Sequence, residues 1–377
     1  MASAELSAQE IAAIRRPLSE ASVLPTRCYT DPDYYELEKE RVLRRAWLAI
    51  GRWDQIENPG DFFTHDILGE SVILVRDPEG VARCFSNVCR HRRMPIASGG
   101  GSARSFQCPY HCWTYGLDGQ LIGAPLMADD FDKSGVKLAE VRCEEWAGFV
   151  FINFDESAAP LAPQLKNLSD LIAPYQIDTW RMVGESTDHT ASWNWKLTIE
   201  NGGESYHHMG LHSNTLERDV SPTRLTVMPE QEGPYLQYMG AYPKGSNFLM
   251  GWDRPELPEE DLTWGRIVNV FPLCNFDLEP DWLLWQSIVP GPSVDRHQVR
   301  YFYMVPPGAQ DHPEFDELFQ QVKQENDAVM LEDRQGCERW WSGQLANATA
   351  QPTVGLSPLE AGLANFHHWL VELISKP

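Results

Sequence analysis

The chain has 377 residues and 42% hydrophobic content, enough for two or three domains with sizeable cores. Its formal charge of -23, from 54 acidic against 31 basic residues, argues against nucleic acid or an anionic membrane as a partner. It has no run of about 18 apolar residues that could span a bilayer, and the first residues include Glu5, Glu10, Arg15 and Arg16 where a signal peptide has an apolar core. We therefore expect a globular, cytoplasmic protein.

The sequence pattern changes twice along the chain. Residues 1–44 predict a mostly helical segment, because Tyr34, Leu37 and Arg41 follow helical spacing after a proline. Residues 45–155 contain short apolar runs separated by glycine and proline turns, which predict a small domain of antiparallel strands. A linker rich in alanine and proline follows, and residues 156–377 then predict a second domain.

The second domain mixes strand and helix patterns. Apolar runs predict strands at 191–197, 267–271 and 282–289, and the length and polarity of residues 314–341 predict a long amphipathic helix. An α+β fold is therefore expected for the chain as a whole. The sequence contains no internal repeat and no low-complexity tract.

Four possible metal ligands lie in two short motifs of the β domain, Cys89-Arg90-His91 and Cys108-Pro109-Tyr110-His111. Two thiolates and two imidazoles so arranged suit a Rieske [2Fe-2S] centre, in which the cysteines hold one iron and the histidines the other. A Cys2His2 zinc site would use the same ligand types, but zinc fingers usually supply both cysteines first and both histidines second. The spacing favours the iron-sulfur cluster.

A second candidate metal site lies in the second domain, in the segment from Glu200 to His212. Three histidines, His207, His208 and His212, follow two carboxylates, which suits a mononuclear Fe(II) site of the 2-His-1-carboxylate kind. In a regular helix His208 and His212 share one face, whereas His207 and His212 diverge. Helical geometry alone therefore favours His208 with His212.

Both motifs resemble those of the Rieske non-haem iron oxygenases. The resemblance is carried by 89–93 and 108–111, by 193–212, by 326–336 and by the tail at 356–369, so it spans most of the chain. It implies an all-β Rieske domain ahead of an α+β catalytic domain of the helix-grip type, with an antiparallel sheet and long C-terminal helices. It also implies that the N-terminal segment packs on the catalytic domain.

The resemblance implies a specific set of site residues. It selects His207 and His212 as iron ligands, which requires a local distortion of the helix such as a π-bulge, and it makes Glu204 an electron bridge between the two metal sites. The third ligand in the family is an Asp followed five residues later by a Glu, which selects Asp327. Relatives usually carry Glu before that Asp, where this chain has Asn326.

Asp333 is the competing third ligand. It falls on one helical stripe with Val322, Asn326 and Val329, whereas the resemblance alone supports Asp327. Without the resemblance, either acid would be read as a solvated surface charge.

The resemblance implies a terminal oxygenase with one [2Fe-2S] cluster and one Fe(II) per chain. Dioxygen would be the co-substrate, and NAD(P)H would deliver electrons through a flavin/iron-sulfur reductase or a ferredoxin. A homotrimer acting on a small molecule is expected. We predict hydroxylation or oxidative dealkylation of an aromatic or similarly apolar substrate by a mono- or dioxygenase. The alternative is a quaternary ammonium substrate, because Glu204 resembles the carnitine-type branch. An electron carrier without oxygenase activity is the alternative of another class.

Overall fold

The computed structural model describes residues 5–219, 226–227, 233–243, 245–252, 254–346, 353 and 355–376. The chain divides into two compact units. One comprises Arg44–Leu161, and the other combines Met1–Leu43 with Ala162–Pro377. The domain boundaries predicted from the sequence were 44/45 and 155/156. Within the described part of the chain, no helix is both long and apolar enough to cross a bilayer.

The N-terminal segment is helical and belongs to the same unit as the C-terminal half. Its α-helices are α1 (Ala8–Ile14), α2 (Arg27–Thr30) and α3 (Pro32–Glu38), and a π-helical turn at Lys39–Leu43 continues α3. Ser7 caps α1 with a capping box and Asp31 caps α3 ahead of Pro32, so the local sequence fixes where both helices begin.

The unit Arg44–Leu161 is built from antiparallel strands. The strands are β1 (Leu48–Arg52), β2 (Asp61–Ile67), β3 (Glu70–Arg76), β4 (Ala82–Ser86), β5 (Gly100–Ser102), β6 (Phe106–Gln107), β7 (Thr114–Tyr115), β8 (Leu121–Gly123), β9 (Glu140–Trp146) and β10 (Phe149–Asn153). Their order is β1-β10-β9-β4-β3-β2-β5 in one sheet and β6-β7-β8 in a small second sheet. The core between them includes Cys89 and Cys108, so the cluster motifs are anchored in the interior of this unit.

The larger unit is organised around a second antiparallel sheet. Its further elements are α4 (Leu161–Gln164), α5 (Lys166–Ile172), β11 (Arg181–Ala191), α6 (Trp195–Asn201), α7 (His208–Leu211), α8 (Leu216–Asp219), β12 (Thr226–Val227), β13 (Tyr235–Ala241), β14 (Trp264–Val270), β15 (Cys274–Leu278), β16 (Leu283–Pro290), β17 (His297–Val305), α9 (Phe315–Leu345) and α10 (Ala361–Ile374). The strand order is β11-β17-β16-β15-β14-β13-β12. The α+β class expected from the sequence is confirmed.

The predicted elements of this unit are partly correct. The long helix predicted at 314–341 is α9, and the strands predicted at 267–271 and 282–289 correspond to β14 and β16. The strand predicted at 191–197 is wrong beyond Ala191, because α6 begins at Trp195. Asn194 accepts a hydrogen bond from the Lys196 amide and caps this helix.

Candidate functional site: two metal centres

The two cluster motifs form loops with the same backbone geometry. The amides of Cys89 and Cys108 each donate to the carbonyl five residues later, at distances of 2.9 and 2.8 Å. Each cysteine carbonyl accepts, at 3.0 Å, from the amide four residues on, and those residues, Arg93 and Cys112, have φ of 62° and 58°. The chain therefore uses one type of turn twice, and each turn holds one cysteine and one histidine.

The four side chains separate by type. Cys89 and Cys108 are both 2% exposed and their thiols are hydrogen-bonded to each other. The rings of His91 and His111 lie towards the surface with centroids 4.7 Å apart. A buried sulfur pair beside one exposed imidazole, that of His91, and one half-buried imidazole, that of His111, fits a cluster in which one iron is bound by thiolates and the other by histidines.

Neighbouring groups orient these donors. The Tyr115 hydroxyl lies 3.3 Å from Cys89 Sγ and accepts from the Arg90 amide at 3.0 Å. Burial raises the pKa of the Cys108 thiol, while the amides of Tyr110 and His111 donate to its sulfur and oppose that rise. Hydrogen bonds of this kind are what tune a cluster's sulfur ligands.

The histidine motif of the larger unit is a broken helix. Helix α6 ends at Asn201, two glycines follow, and the one-turn helix α7 begins only at His208. His207 is the N-cap of α7 and His212 is its C-cap, and their ring centroids are 5.0 Å apart. The π-bulge expected here is wrong, because the chain brings the two rings together across a helix break instead.

Asp333 of α9 completes a possible metal site with these two histidines. Its Oδ1 lies 2.9 Å from His212 Nε2 and 3.6 Å from His207 Nε2. One ligand atom from each of the three residues lies within 4.8 Å of the other two, so the trio could hold a metal ion. A Cβ at Gly336 would lie 2.7 Å from the side chain of Leu211 of α7, so a larger residue there would require that side chain to shift.

The prediction of Asp327 as the third ligand is wrong. Its side chain is 55% exposed and pairs with Lys323 at 2.7 Å, one turn away on the outer face of α9. Val322, Asn326 and Val329 are buried on the opposite stripe, which leads to Asp333. The family pattern also fits better there, because Glu332 precedes Asp333 and Glu338 follows it by five residues. Asn326 departs from the Glu that relatives usually carry before the ligand Asp, and this departure is the sequence signal that favours Asp333 over Asp327.

Each candidate iron-binding histidine has a carboxylate on its other nitrogen. His207 Nδ1 lies 2.6 Å from Glu204 Oε1, and His212 Nδ1 lies 2.8 Å from Glu332 Oε2. Thr215 donates to the same oxygen of Glu332 at 2.6 Å. These contacts favour a proton on Nδ1 and leave Nε2 free to bind a metal. Sequence reasoning missed this role of Glu332.

The possible metal site is surrounded by negatively charged carboxylates. Although burial disfavours a charged imidazole, hydrogen bonds with Asp333 and Glu204 raise the pKa of His207 to about 10. Burial also opposes ionisation of Asp333, yet His207 and His212 hold the pKa of that carboxyl well below its usual range. Both shifts reflect carboxylates gathered around two imidazoles, which is a site prepared for a divalent cation.

His208 lies beside this trio without joining it. Its Nδ1 has no hydrogen-bond partner among the described residues, and burial together with the charges of His207 and His212 lowers its pKa well below the usual value. The pairing of His208 with His212 that helical geometry favoured fails because these residues do not form a regular helix with their neighbours. His208 instead lines the adjoining cavity.

Glu200, the first carboxylate of the motif, serves the fold. It is 1% exposed and accepts from the Tyr29 hydroxyl at 2.9 Å, and His367 Nε2 lies 3.0 Å from the same carboxylate. Helix α6 is therefore tied to the N-terminal segment and to α10. The two acids of one motif have separate roles, since only Glu204 contacts the histidine pair.

A cavity of about 80 Å³ opens beside the histidines and Asp333. Its wall includes His207, His208, Tyr238, Asn275, Asp277 and Asp333. Burial and the negative charge of Asp333 raise the pKa of Asp277 to about 7. A small molecule in this cavity would lie next to the metal donors.

Comparison with known families accounts for both regions. Residues 46–142 match the Rieske [2Fe-2S] domain, and residues 177–376 match the catalytic domain of the ring hydroxylating alpha subunit. The chain belongs to the Rieske non-haem iron oxygenases. Members of this family are oxidoreductases that use a [2Fe-2S] cluster and a mononuclear iron, and this chain has the domain for each. The expectations for family, fold and cofactors are confirmed.

Individual relatives of this Rieske oxygenase differ in how much of the chain they match. The carnitine monooxygenase oxygenase subunit of Escherichia coli K12 is 38% identical over 193 residues, which is 50% of this chain and 51% of that protein. The putrescine 2-hydroxylase of Ralstonia nicotianae is 30% identical over 92% of this chain and 94% of its own length. A solved quaternary ammonium Rieske monooxygenase shares the fold, with a TM-score of 0.83, 22% identity and coverage of 98% and 99% of the two chains.

Proposed function

We propose that this chain is the terminal oxygenase component that hydroxylates a small, positively charged nitrogen compound. The observation that carries the proposal is the trio of His207, His212 and Asp333 at the wall of a cavity that also contains Asp277. The names of two relatives, carnitine monooxygenase and putrescine 2-hydroxylase, denote substrates with cationic nitrogen. An aromatic or apolar substrate, which the sequence favoured, would leave the Asp277 carboxylate without a use.

The ligand assignments are part of this proposal. Cys89, Cys108, His91 and His111 would hold the [2Fe-2S] cluster, and His207, His212 and Asp333 would hold Fe(II). Bound there, the cluster supplies single electrons and the ferrous ion supplies the dioxygen chemistry that 2-His-1-carboxylate sites support.

The remaining residues of the site would orient the iron ligands and keep bulk water away from the substrate. Glu204 and Glu332 would keep both imidazoles oriented with protons on Nδ1, and the buried cavity wall would keep the substrate carbon away from bulk water. In the overall reaction a C–H bond and O2, with two electrons and two protons, give a C–OH group and water. A separate NAD(P)H-dependent reductase would provide the electrons.

Glu204 is further proposed as the electron bridge, and a homotrimer as the assembly. The support for the bridge is the 2.6 Å contact of its carboxylate with His207 Nδ1, which leaves it directly coupled to a candidate iron ligand. A residue acting in this way would affect electron delivery more than iron content.

The test is product formation by the reconstituted oxygenase with a reductase and NADH. Alkylamines, quaternary ammonium compounds and naphthalene are supplied in separate reactions, and NADH oxidation is compared with hydroxylated product. We expect hydroxylated product only from a cationic nitrogen compound. Coupled hydroxylation of naphthalene, with uncoupled NADH oxidation for all the cations, would contradict the proposed substrate class.

A further inference from the structure

One wall of the cavity beside the iron donors is formed by the antiparallel sheet. In the strand register, Tyr238 of β13 is opposite Ile267 of β14, which is opposite Asp277 of β15. Directly paired residues project to the same face of a sheet, so these three side chains line the cavity together. Asp277 is the acid of this wall, and the metal donor set described above does not use it.

In the described part of the chain, no cationic side chain is paired with Asp277. Its side chain is 8% exposed, and a hydrogen bond from Gln286 is the stabilising interaction of its carboxylate. Among the described residues that line the cavity, none is Lys or Arg. A buried carboxylate is costly unless a positive charge or several hydrogen bonds compensate it. A ligand is therefore the natural source of that charge.

Asn275 provides a second, independent indication of a ligand. It is fully buried, it lines the same cavity, and neither atom of its side-chain amide has a hydrogen-bond partner in the part of the chain that is described. Residues two apart in a strand face the same side, so its amide and the Asp277 carboxylate face the cavity from one strand. Buried side-chain amides nearly always form hydrogen bonds, so we infer that a polar group of a ligand pairs with the Asn275 amide.

A further acid lies behind this wall, although burial raises the pKa of Glu279 well above its usual value and so disfavours its charged form. Glu279 lies at the end of β15, where it accepts from the Tyr242 hydroxyl at 2.8 Å, and a Cβ on Gly265 would collide with its carboxylate. The glycine is therefore needed for this acid to lie behind the cavity wall. The carboxylates of Asp333, Glu204 and Glu332 already outnumber the two charges of a ferrous ion, so the loaded site still favours a cation.

We propose, as a refinement that rests on the proposed function, that Asp277 selects substrates carrying a protonated primary amine. Its carboxylate accepts an N–H of the ammonium group, and the Asn275 carbonyl oxygen accepts a second N–H. A charge-assisted hydrogen bond of this kind needs a donor, which a quaternary nitrogen lacks.

The cavity is poorly suited to a betaine. Quaternary nitrogen is usually bound by several aromatic faces, and the described lining residues include tyrosines but neither Trp nor Phe. A betaine's carboxylate would need a cationic partner, and the described wall offers none.

The experiment compares two ligands that differ only in N-methylation. Dissociation constants of n-butylamine and N,N,N-trimethylbutylammonium are measured by calorimetry on the anaerobic, iron-loaded oxygenase. Wild type is compared with Asp277→Asn and with the matched control Asp327→Asn, which removes an exposed acid of the same unit. We expect wild type to prefer the amine by at least about tenfold, and Asp277→Asn to lose about 10- to 100-fold in amine affinity. The control should bind both ligands as wild type does.

Equal or tighter binding of the trimethylated ligand by wild type would overturn the proposal, as would unchanged amine affinity in Asp277→Asn or no binding of either ligand. If Asp277→Asn does not fold, the ligand preference of wild type alone decides. The iron content of every sample is measured alongside. Failure of the proposed function would appear as missing mononuclear iron or as no O2 consumption with the reductase, whereas failure of this refinement alone would leave both intact and alter only the ligand preference.

Discussion

The two metal-binding regions encode their donors in different ways. The candidate cluster ligands lie between Cys89 and His111, and each of two identical turns holds a cysteine and a histidine. The candidate iron ligands His207 and His212 flank a single helical turn, but Asp333 lies 121 residues beyond His212 on a different helix. Local spacing is therefore enough to recognise the first centre, whereas the second depends on helix register.

The largest effect is expected from a substitution that removes the [2Fe-2S] cluster and leaves the mononuclear iron site intact. Cys89→Ser should lose about two of about three irons per chain, the Rieske-type paramagnetic signal and all turnover, because a buried thiolate ligand is removed. Iron analysis and electron paramagnetic resonance of the reduced protein measure this. Cys112→Ser changes an exposed cysteine of the other cluster turn and should leave both signals intact. A full Rieske signal in Cys89→Ser would remove that residue from the ligand set.

The next prediction addresses the other centre. Asp333→Ala should lose about one iron per chain and all turnover while keeping the Rieske signal, since two histidines alone bind Fe(II) weakly. Asp327→Ala, six positions earlier on the same helix, should keep its iron because its side chain points to solvent. Iron content after dialysis is the measurement. Retention of mononuclear iron by Asp333→Ala, with loss in Asp327→Ala, would restore the original assignment.

The fold and the cluster were predictable because their signals are local. Apolar runs specified β14 and β16, and the polarity pattern specified α9. Asp333 could also have been found, since the buried stripe of Val322, Asn326 and Val329 leads to it. The family motif fits two positions of α9 because this helix contains many acids, and the resemblance selects Asp327 rather than Asp333 as the ligand.

Other parts of the site could not be read from the sequence. Asp277 lies beside the iron donors only because β13, β14 and β15 pair in a particular register, and nothing in one strand specifies its neighbours. Likewise, Glu332 contacts His212 only once α9 packs beside α7. The break between Asn201 and His208 depends on how the two glycines are packed, which spacing alone does not reveal.

A smaller expected effect separates two carboxylates with equivalent contacts. Glu204 and Glu332 each hold the Nδ1 of one histidine, so a purely orienting role predicts the same outcome for Glu204→Gln and Glu332→Gln, an iron affinity lowered about 10- to 100-fold. If Glu204 also carries electrons, Glu204→Gln at saturating iron should still lose nearly all turnover while Glu332→Gln recovers.

The measurement for this pair is turnover together with the rate at which the cluster is reoxidised by dioxygen, both at saturating iron. We expect slow reoxidation of the cluster in Glu204→Gln alone, because only that variant interrupts electron transfer from the cluster to the iron site. Equal recovery of both variants would limit Glu204 to orienting His207.

The smallest expected effect concerns Glu200, which shares a motif with Glu204 but none of its chemistry. Tyr29→Phe removes a buried donor to the Glu200 carboxylate and should lower the free energy of unfolding by about 1.5–3 kcal/mol, with iron content unchanged. Tyr35→Phe is the matched control, because its hydroxyl donates to the neutral carbonyl of Gly291, and it should cost only about 0.5–1.5 kcal/mol. Denaturant unfolding measures both. If Tyr29→Phe instead lost mononuclear iron at unchanged stability, Glu200 would have to be counted with the metal site, and the division of the motif into a structural and a functional acid would fail.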